Sequence, residues 1–281
     1  MKDLLFNLNQ IRIEISFKSY DELLRILSFY QRNDINKINI PCKNSLKKDF
    51  LLNSIRISKE EFPSIDIIPH FSILHEFRRN RLNTQDALIK FLQVVKYLGC
   101  KEALLVSGSQ KRSTLDSVST LSFLKDNPLF YSEDFSIGVA FNPYLPSLLF
   151  EEEIIRLKNK LQSGLVGSIW IQFGTDYKLL NERIKMLKNI IDISIKKNST
   201  KSNINLFGSI LIPSKQFLAR FKYRPWKGVY CSGEFLNSVD YANNLVKIIL
   251  STYKQNNIYP IIENSISKDD HLEILKNNFL E

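Results

Sequence analysis

The sequence predicts a single-domain α/β protein with the fold of a (β/α)8 TIM barrel over residues 1–281. Its length of 281 residues is close to the roughly 250 residues of a typical barrel of this kind. Short β-branched and aromatic runs alternate with helical patterns, as in a parallel sheet wound by helices. An open doubly wound sheet usually has a glycine-rich turn after its first strand, and none follows residues 11–17.

Eight runs are predicted strands, which is the number that closes such a barrel. They are rich in Ile, Val, Leu and Phe, and polar or glycine-containing segments bound them. In chain order they are IRIEISF (11–17), INKINI (35–40), IDIIPHF (65–71), EALLVS (102–107), FSIGVAF (135–141), GSIWIQF (167–173), INLFGSIL (204–211) and IYPIIE (258–263).

Amphipathic helical segments separate these strands. Apolar residues keep the i, i+3, i+4 and i+7 spacing of one buried helix face in three of them: 87–98, 150–161 and 239–250. The second segment stops near Gly164, a residue type that favours helix ends. Residues 196–203 are predicted to form a polar loop within the domain. Residues 222–234 form a less regular excursion before the last long helix.

Composition and charge exclude several classes of protein. The formal charge is +10, but Lys and Arg are spread along the chain, so no nucleic-acid partner is expected and a small anionic ligand fits the charge better. No apolar run approaches the ~20 residues of a membrane span. Cys42, Cys100 and Cys231 are far apart and odd in number, which predicts a cytoplasmic protein without a disulfide framework. The oligomeric state stays open, with a homo-oligomer among the alternatives.

Polar residues in the strands are the candidates for chemistry, because active sites of such barrels lie at the carboxyl ends of the strands. Glu14 lies between Ile13 and Ile15; if these two face the helices, Glu14 faces the barrel interior. A carboxylate there is costly unless it is functional or, as the alternative, tied up in an ion pair. His70 ends the third strand, and Gln172 offers amide donors and acceptors suited to the edge of a heterocycle. For both, a structural hydrogen bond is the alternative.

A turn of small residues follows the fourth strand. Ser107, Gly108 and Ser109 precede Lys111 and Arg112, and backbone N–H groups of such a turn before a helix can hold phosphate oxygens. An ordinary capped helix start explains the pattern equally well. The turn also lacks the second glycine and the adjoining lysine of a P-loop, and no HExxH or comparable pair predicts a metal site.

Six segments, taken in chain order, resemble the methylenetetrahydrofolate reductase family. The longest is similar to that family's L-K-R-K-x-x-A-G-A-x-x-x-I-T-Q-F-F-F-D segment. The others resemble its F-E-F-F, P-H-L-T, A-L-R-G-D, S-V-A-A-Y-P-E-x-H-P and P-G-I-L-P-V-S-x-F segments. In this sequence the six are RIEIS (12–16), PHFS (69–72), LLVSGS (104–109), SIGVAFNPYLP (136–146), RLKNKLQSGLVGSIWIQFGTD (156–176) and FGSILIPSKQF (207–217).

The resemblance implies a (β/α)8 flavoprotein of one-carbon metabolism. In that family FAD passes hydride from NADH or NADPH to 5,10-methylenetetrahydrofolate and gives 5-methyltetrahydrofolate. Glu14 would be the catalytic acid that protonates N10 of the folate, a role helped by a pKa raised by burial. Gln172 would hold the pterin ring, and Phe217 would stack on folate or nicotinamide. The residues implied to contact the cofactor are His70, Ser107, Gly108, Ser109, Phe141 and Lys160.

The flavin side of the site departs from the family's pattern more than the substrate side. Ser107 and Ser109 stand where the family has the Arg and Asp of A-L-R-G-D. In the loop after strand five, several polar flavin contacts are replaced by Asn142, Tyr144, Leu145 and Ser147. The family also includes reductases in which hydride passes directly from nicotinamide to folate. The sequence therefore predicts an oxidoreductase that reduces methylenetetrahydrofolate with or without FAD. The alternative is a folate-binding or regulatory barrel without redox activity.

Overall fold

Eight parallel strands close into a barrel in which each strand pairs with its neighbours along the chain. The computed structural model describes residues 6–42, 48–73, 81–107, 115–132, 134–197 and 200–280. β8 pairs with β1 and closes the barrel, which confirms the predicted (β/α)8 fold. The strands are β1 (Arg12–Glu14), β2 (Lys37–Ile40), β3 (Asp66–Ser72), β4 (Glu102–Val106), β5 (Ser136–Phe141), β6 (Val166–Ile171), β7 (Asn205–Ile210) and β8 (Ile258–Ile262).

Helices cover the outside of the barrel. Several begin at a side chain that accepts a hydrogen bond from the backbone of the first turn, such as Ser19 and Asp176. Within the described ranges, no helix is both long and apolar enough to cross a membrane. The α-helices there are α1 (Tyr20–Arg32), α2 (Lys48–Glu61), α3 (Arg81–Tyr97), α4 (Ser117–Leu124), α5 (Ser147–Leu161), α6 (Tyr177–Lys196), α7 (Lys215–Tyr223), α8 (Gly233–Asn237), α9 (Val239–Gln255) and α10 (Asp269–Phe279).

The predicted elements differ from the structure mainly at their ends. β1 is shorter than the predicted run 11–17, because its ladders with β2 and β8 cover only Arg12 to Glu14. The predicted helix 87–98 is the second part of α3, which begins at Arg81. The excursion 222–234 contains a turn at Gly228, whose φ of +85° lies in the left-handed region that favours glycine.

Most of the apolar core lies between the strands and the helices. Ile13 and Ile15 are fully buried in it, and burying a side chain of this size stabilises the fold by roughly 1.5–3 kcal/mol. Because side chains alternate along a strand, Glu14 faces the barrel interior, as predicted. The three cysteines are free thiols, and Cys100 is buried in the same core.

A thin apolar layer crosses the inside of the barrel. It consists of Ile68, Leu104, Trp170 and Ile261, and the ring of Phe207 packs on Trp170 with centroids 4.4 Å apart. We call this cluster the interior apolar layer. Barrel interiors are usually filled by several layers of branched apolar side chains. Here polar side chains lie on both sides of one layer, which leaves an N-terminal mouth and a C-terminal mouth.

Glycine at position 138 makes room for Trp170 inside the barrel. A Cβ atom on Gly138 would lie closer than 3.0 Å to the Trp170 indole nitrogen and to the side chains of Glu102 and Ser168. The indole N–H donates to Ser168 Oγ at 2.6 Å, and the Ser168 and Ser136 hydroxyls donate to the Glu102 carboxylate. Burial raises the pKa of Glu102, and the two serine hydrogen bonds oppose that shift.

Candidate functional site

Three predicted site residues lie at the C-terminal mouth: Glu14, His70 and Gln172. Each lies two positions after a side chain that is inside the barrel, namely Arg12, Ile68 and Trp170. Side chains two positions apart on a strand share a face, so all three face the interior, where each is half-buried. The mouth therefore has a carboxylate, an imidazole and an amide.

Asn39 fixes the orientation of His70. The fully buried Asn39 side chain has its Nδ2 atom 2.8 Å from His70 Nε2 and its Oδ1 atom 3.5 Å from Nη1 of Arg12. Because a guanidinium group only donates, Oδ1 is the acceptor and Nδ2 donates to the imidazole. His70 Nε2 is therefore an acceptor, and the ring proton lies on Nδ1. Arg12 is held in turn by the Ile38 carbonyl oxygen at 2.7 Å and by the Asp66 carboxylate.

A second carboxylate at this mouth was not identified from the sequence. Glu263 directly follows β8 and accepts a hydrogen bond from the Ser209 hydroxyl. Ile13 pairs with Ile262 in the ladder between β1 and β8, so Glu14 and Glu263 follow equivalent positions on adjacent strands. The run IYPIIE was a predicted strand, but an acidic residue at a strand end has no motif that marks it as a site residue.

A crevice of about 430 Å³ opens at the carboxyl ends of β4, β5 and β6. It brings together four of the predicted site residues: Ser107, Phe141, Lys160 and Gln172. We call it the β4–β6 crevice. Asn142, Arg156 and Lys227 also line it and were not predicted. Gln172 belongs both to this crevice and to the C-terminal mouth, so the crevice adjoins the mouth at this side chain.

Basic side chains dominate the β4–β6 crevice. Arg156 pairs with Asp116 at 2.5 Å, and Lys227 is exposed. The Lys160 ammonium donates to a β5 carbonyl oxygen at 2.8 Å and lies 3.7 Å from Glu153. Burial lowers the pKa of Lys160, and the Glu153 carboxylate opposes that shift. With Asp116 counted as the partner of Arg156, three basic side chains face two carboxylates. The crevice therefore keeps a net positive charge, which favours an anionic group.

The fold itself uses several of the predicted cofactor contacts. The ring of Phe141 is 1% exposed and packs edge-on against Phe150, with centroids 6.1 Å apart. Ser107 Oγ accepts a hydrogen bond from the backbone N–H of Ser117 at 3.1 Å, which ties the end of β4 to α4. Two further predicted contacts lie outside the described residues: Gly108 and Ser109.

Phe217 lies in the first turn of α7. Its half-buried ring packs against Phe221 and Trp226, with centroids 5.8 Å away in each case. Phe217 is not among the described residues that line the β4–β6 crevice. The structure therefore places this predicted stacking residue in an aromatic cluster on α7 and the loop that follows.

The excursion after α7 folds over the β4–β6 crevice. Asn142 Nδ2 donates to the carbonyl oxygen of Gly228 at 2.8 Å, and the backbone N–H of Thr175 donates to that of Tyr230 at 3.0 Å. In both hydrogen bonds a carbonyl oxygen of the excursion is the acceptor, that of Gly228 and that of Tyr230. These contacts bring Lys227 to the rim of the crevice. The irregular composition of 222–234 was the only sequence signal for this wall.

Comparisons with known proteins show the fold. No protein-family model matches the chain, and no curated protein matches it. An uncharacterized protein from Clostridium thermocellum that binds two copies of 5-methyl-5,6,7,8-tetrahydrofolic acid matches with a TM-score of 0.57 and 15% identity, over 94% of this chain and 90% of that chain. A thermostable aldo-keto reductase in complex with the inhibitor epalrestat matches with a TM-score of 0.52 and 14% identity, over 95% and 88%.

At these identities the two structures establish the class of protein and nothing finer. The chain is a (β/α)8 barrel, and the barrels similar to it include an enzyme and a folate-binding protein. The polar C-terminal mouth and the β4–β6 crevice lie at the end of the barrel where the active sites of such barrels are found. The resemblance to the methylenetetrahydrofolate reductase family stays a prediction.

Proposed function

We propose that the C-terminal mouth of this barrel binds a reduced folate. The observation that carries the proposal is the position of Gln172, whose half-buried amide lies where the mouth meets the β4–β6 crevice. An amide presents a donor beside an acceptor, which matches the hydrogen-bonding edge of a pterin ring. The motif resemblance supports the same ligand, and so does the folate bound by the similar barrel from Clostridium thermocellum.

The charge of the β4–β6 crevice suits the other end of such a ligand. A reduced folate carries a glutamate tail, and its carboxylates need cationic partners. Arg156 and Lys227 line the crevice, whereas the buried Lys160 is held by Glu153 and a carbonyl oxygen. The volume of about 430 Å³ lies within the ~300–1,000 Å³ of typical ligand sites. A folate with its pterin at Gln172 would place its tail along these cations.

The finer proposal is reduction of 5,10-methylenetetrahydrofolate to 5-methyltetrahydrofolate with NADH or NADPH. Glu14 favours this reaction, because its carboxyl group lies on the interior face of the mouth. A carboxyl beside a bound folate can protonate N10 as the methylene bridge opens. The nicotinamide supplies the hydride. His70, oriented by Asn39, presents its Nδ1–H as a hydrogen-bond donor in the same mouth.

The proposal uses no flavin, because the fold already engages two of the residues implied to hold one. The Phe141 ring lies in the core against Phe150, and the Lys160 ammonium is buried against a carbonyl oxygen and Glu153. Both residues line the β4–β6 crevice, but these contacts within the fold already engage their side chains. The proposed reaction therefore takes hydride directly from the nicotinamide, as in the members of the family that work without FAD.

Calorimetric titration with 5-methyltetrahydrofolate tests the ligand. We expect saturable binding at one site, and Gln172→Ala should weaken it about tenfold, the equivalent of ~1.4 kcal/mol. Gln162→Ala is the matched control, because Gln162 is exposed at the C-terminal end of α5, and it should bind like the wild type. Absence of binding by the wild-type chain, or equal weakening in both variants, would contradict the proposal.

Nicotinamide oxidation in the presence of methylenetetrahydrofolate tests the reaction. We expect turnover without added FAD, and Glu14→Gln should lower kcat by roughly 10²-fold or more while the affinity for 5-methyltetrahydrofolate stays unchanged. Folate binding without turnover would leave the second candidate, a folate-binding barrel without redox activity. A yellow protein that turns over only with FAD would show that a flavin site forms despite the placement of Phe141 and Lys160.

A further inference from the structure

The N-terminal mouth contains a second cavity, on the other side of the interior apolar layer from the proposed folate site. Its volume is about 600 Å³, also within the ~300–1,000 Å³ of typical ligand sites. The first residue of most strands lines it: Arg12, Lys37, Asp66, Glu102, Ser136 and Asn205. Since active sites of such barrels lie at the opposite end, the proposed function leaves this cavity unused.

Positive charge exceeds negative charge around this cavity. Four basic side chains line it: Arg12, Lys37, Lys59 and Lys101. The lining carboxylates are those of Asp66 and Glu102. Burial raises the pKa of Glu102, which favours its neutral form and leaves the balance still more positive. An anionic group is the ligand chemistry that this balance favours.

Arg12 is the most deeply buried of these cations. Its side chain is 3% exposed and donates to the Ile38 carbonyl oxygen and to Asp66, yet its Nε atom has no hydrogen-bond partner among the described residues. A buried donor without a partner is uncommon and costs about 1–3 kcal/mol. Because Arg12 lines the cavity, an anion bound there would lie near its positive charge and offset part of the cost of burying that charge.

Two aromatic rings also line the cavity. Phe207 packs on Trp170 of the interior apolar layer, and Tyr259 is 40% exposed with its ring centroid 6.2 Å from that of Phe207. The Arg12 guanidinium carbon lies 5.6 Å from the Phe207 ring centroid. Rings of this kind pack against a planar ligand by offset or edge-to-face contacts. The cavity thus joins cations to an aromatic surface.

We propose that the N-terminal mouth binds a small aromatic anion, a planar ring that carries a phosphate or a carboxylate. The anionic group lies among Arg12, Lys37 and Lys101, and the ring packs against Phe207 and Tyr259. The interior apolar layer separates this site from the proposed folate site, so the two bind independently.

Trp170 reports on this cavity, because it packs directly on Phe207. The chain has two tryptophans, so in a Trp226→Phe background the fluorescence comes from Trp170 alone. The probes are phenyl phosphate and benzoate, with phenol as the uncharged control. We expect a saturable change with at least one of the two anions and none with phenol at the same concentration. No saturable change with either anion, or an equal change with phenol, would overturn the proposal.

Three charge reversals locate the probe. Lys101→Glu should weaken its binding at least about fivefold through loss of an attractive charge and gain of a repulsive one. Lys247→Glu makes the same change at an exposed position of α9 and should bind like the parent. If Lys227→Glu weakens binding and Lys101→Glu does not, the probe occupies the β4–β6 crevice and the proposal is wrong. Saturating 5-methyltetrahydrofolate should not displace the probe. The outcome of the charge reversals does not depend on whether the chain binds folate.

Discussion

Substitution of Gly174 by alanine tests how tightly the loops around the C-terminal mouth are packed. Gly174 lies beyond the end of β6, and its backbone bridges to Tyr230 in the excursion that covers the crevice. A methyl group at this position would lie within 2.6 Å of three carbons of the Tyr144 ring. That residue is 5% exposed, so its ring cannot simply turn toward solvent.

The expected cost follows from this distance. Carbon atoms in ordinary contact are about 3.5–4.0 Å apart, so the ring or the loop must move by roughly 1 Å. Overpacking of this kind lowers the free energy of unfolding by about 1–3 kcal/mol. For a domain of roughly this size each kcal/mol lowers Tm by about 2–4 °C. Urea unfolding gives the free energy of unfolding, and calorimetry gives Tm.

Gly233→Ala is the matched control. It is the same chemical change at the first residue of α8, where a methyl group would have no neighbour within 4 Å. Alanine favours a helix more than glycine does, so this variant should be as stable as the wild type or slightly more stable. Equal unfolding free energies for the two variants would refute the reasoning, because crowding by Tyr144 is the difference it depends on. Gly174→Ala should also weaken folate binding, since Gln172 is two positions away.

Three further changes have expected outcomes. Burial raises the pKa of Glu102, so above about pH 4 the folded chain keeps a proton that the unfolded chain has lost. The free energy of unfolding should therefore fall as the pH rises from there. Urea unfolding of Glu102→Gln at several pH values should show that this slope is gone. Burial raises the pKa of Cys100 and Cys231 to about 12, so mass spectrometry should show both alkylated far more slowly in the native chain than in the unfolded chain at about pH 8. Arg183→Met removes two hydrogen bonds to carbonyl oxygens after β5 and should cost about 2–3 kcal/mol in urea unfolding, against less than about 0.5 kcal/mol for the exposed Lys185→Met.

The barrel could be predicted because its elements depend on local pattern. The run FSIGVAF alternates small interior residues with large outer ones, and this period of two is what a strand requires. The spacing of Phe150, Ile154, Leu157 and Leu161 likewise marks the buried face of α5. Strand ends were less certain, because pairing with the neighbouring strands decides where β1 stops.

The candidate site could be predicted only in part, because a residue's position at a strand end does not fix the direction of its side chain. Glu14 and Gln172 fall on the interior face, whereas Phe141, one position after Ala140, faces the helices and packs on Phe150. Lys160 belongs to the buried stripe of α5, between Leu157 and Leu161, and so is covered.

Contacts between segments far apart in the chain could not be predicted from local sequence patterns. The hydrogen bond between Asn142 and Gly228 spans 86 positions in the chain, and the bond between Asn39 and His70 depends on how β2 and β3 are aligned. A single sequence carries no pattern for either. The wall of the crevice and the orientation of His70 therefore could not be predicted from the sequence alone.

Trp170 lies in the interior apolar layer and contacts side chains on both sides of it. Its ring and that of His70 meet edge to face, with centroids 6.3 Å apart. Its N–H donates to Ser168, whose hydroxyl donates to Glu102 at the other end. Replacing the Trp170 ring would disturb the N-terminal mouth and the C-terminal mouth together. A substitution in the β4–β6 crevice or at Lys101 would affect only one of them. Trp170 is thus the member of the interior apolar layer through which a substitution would reach both proposed sites.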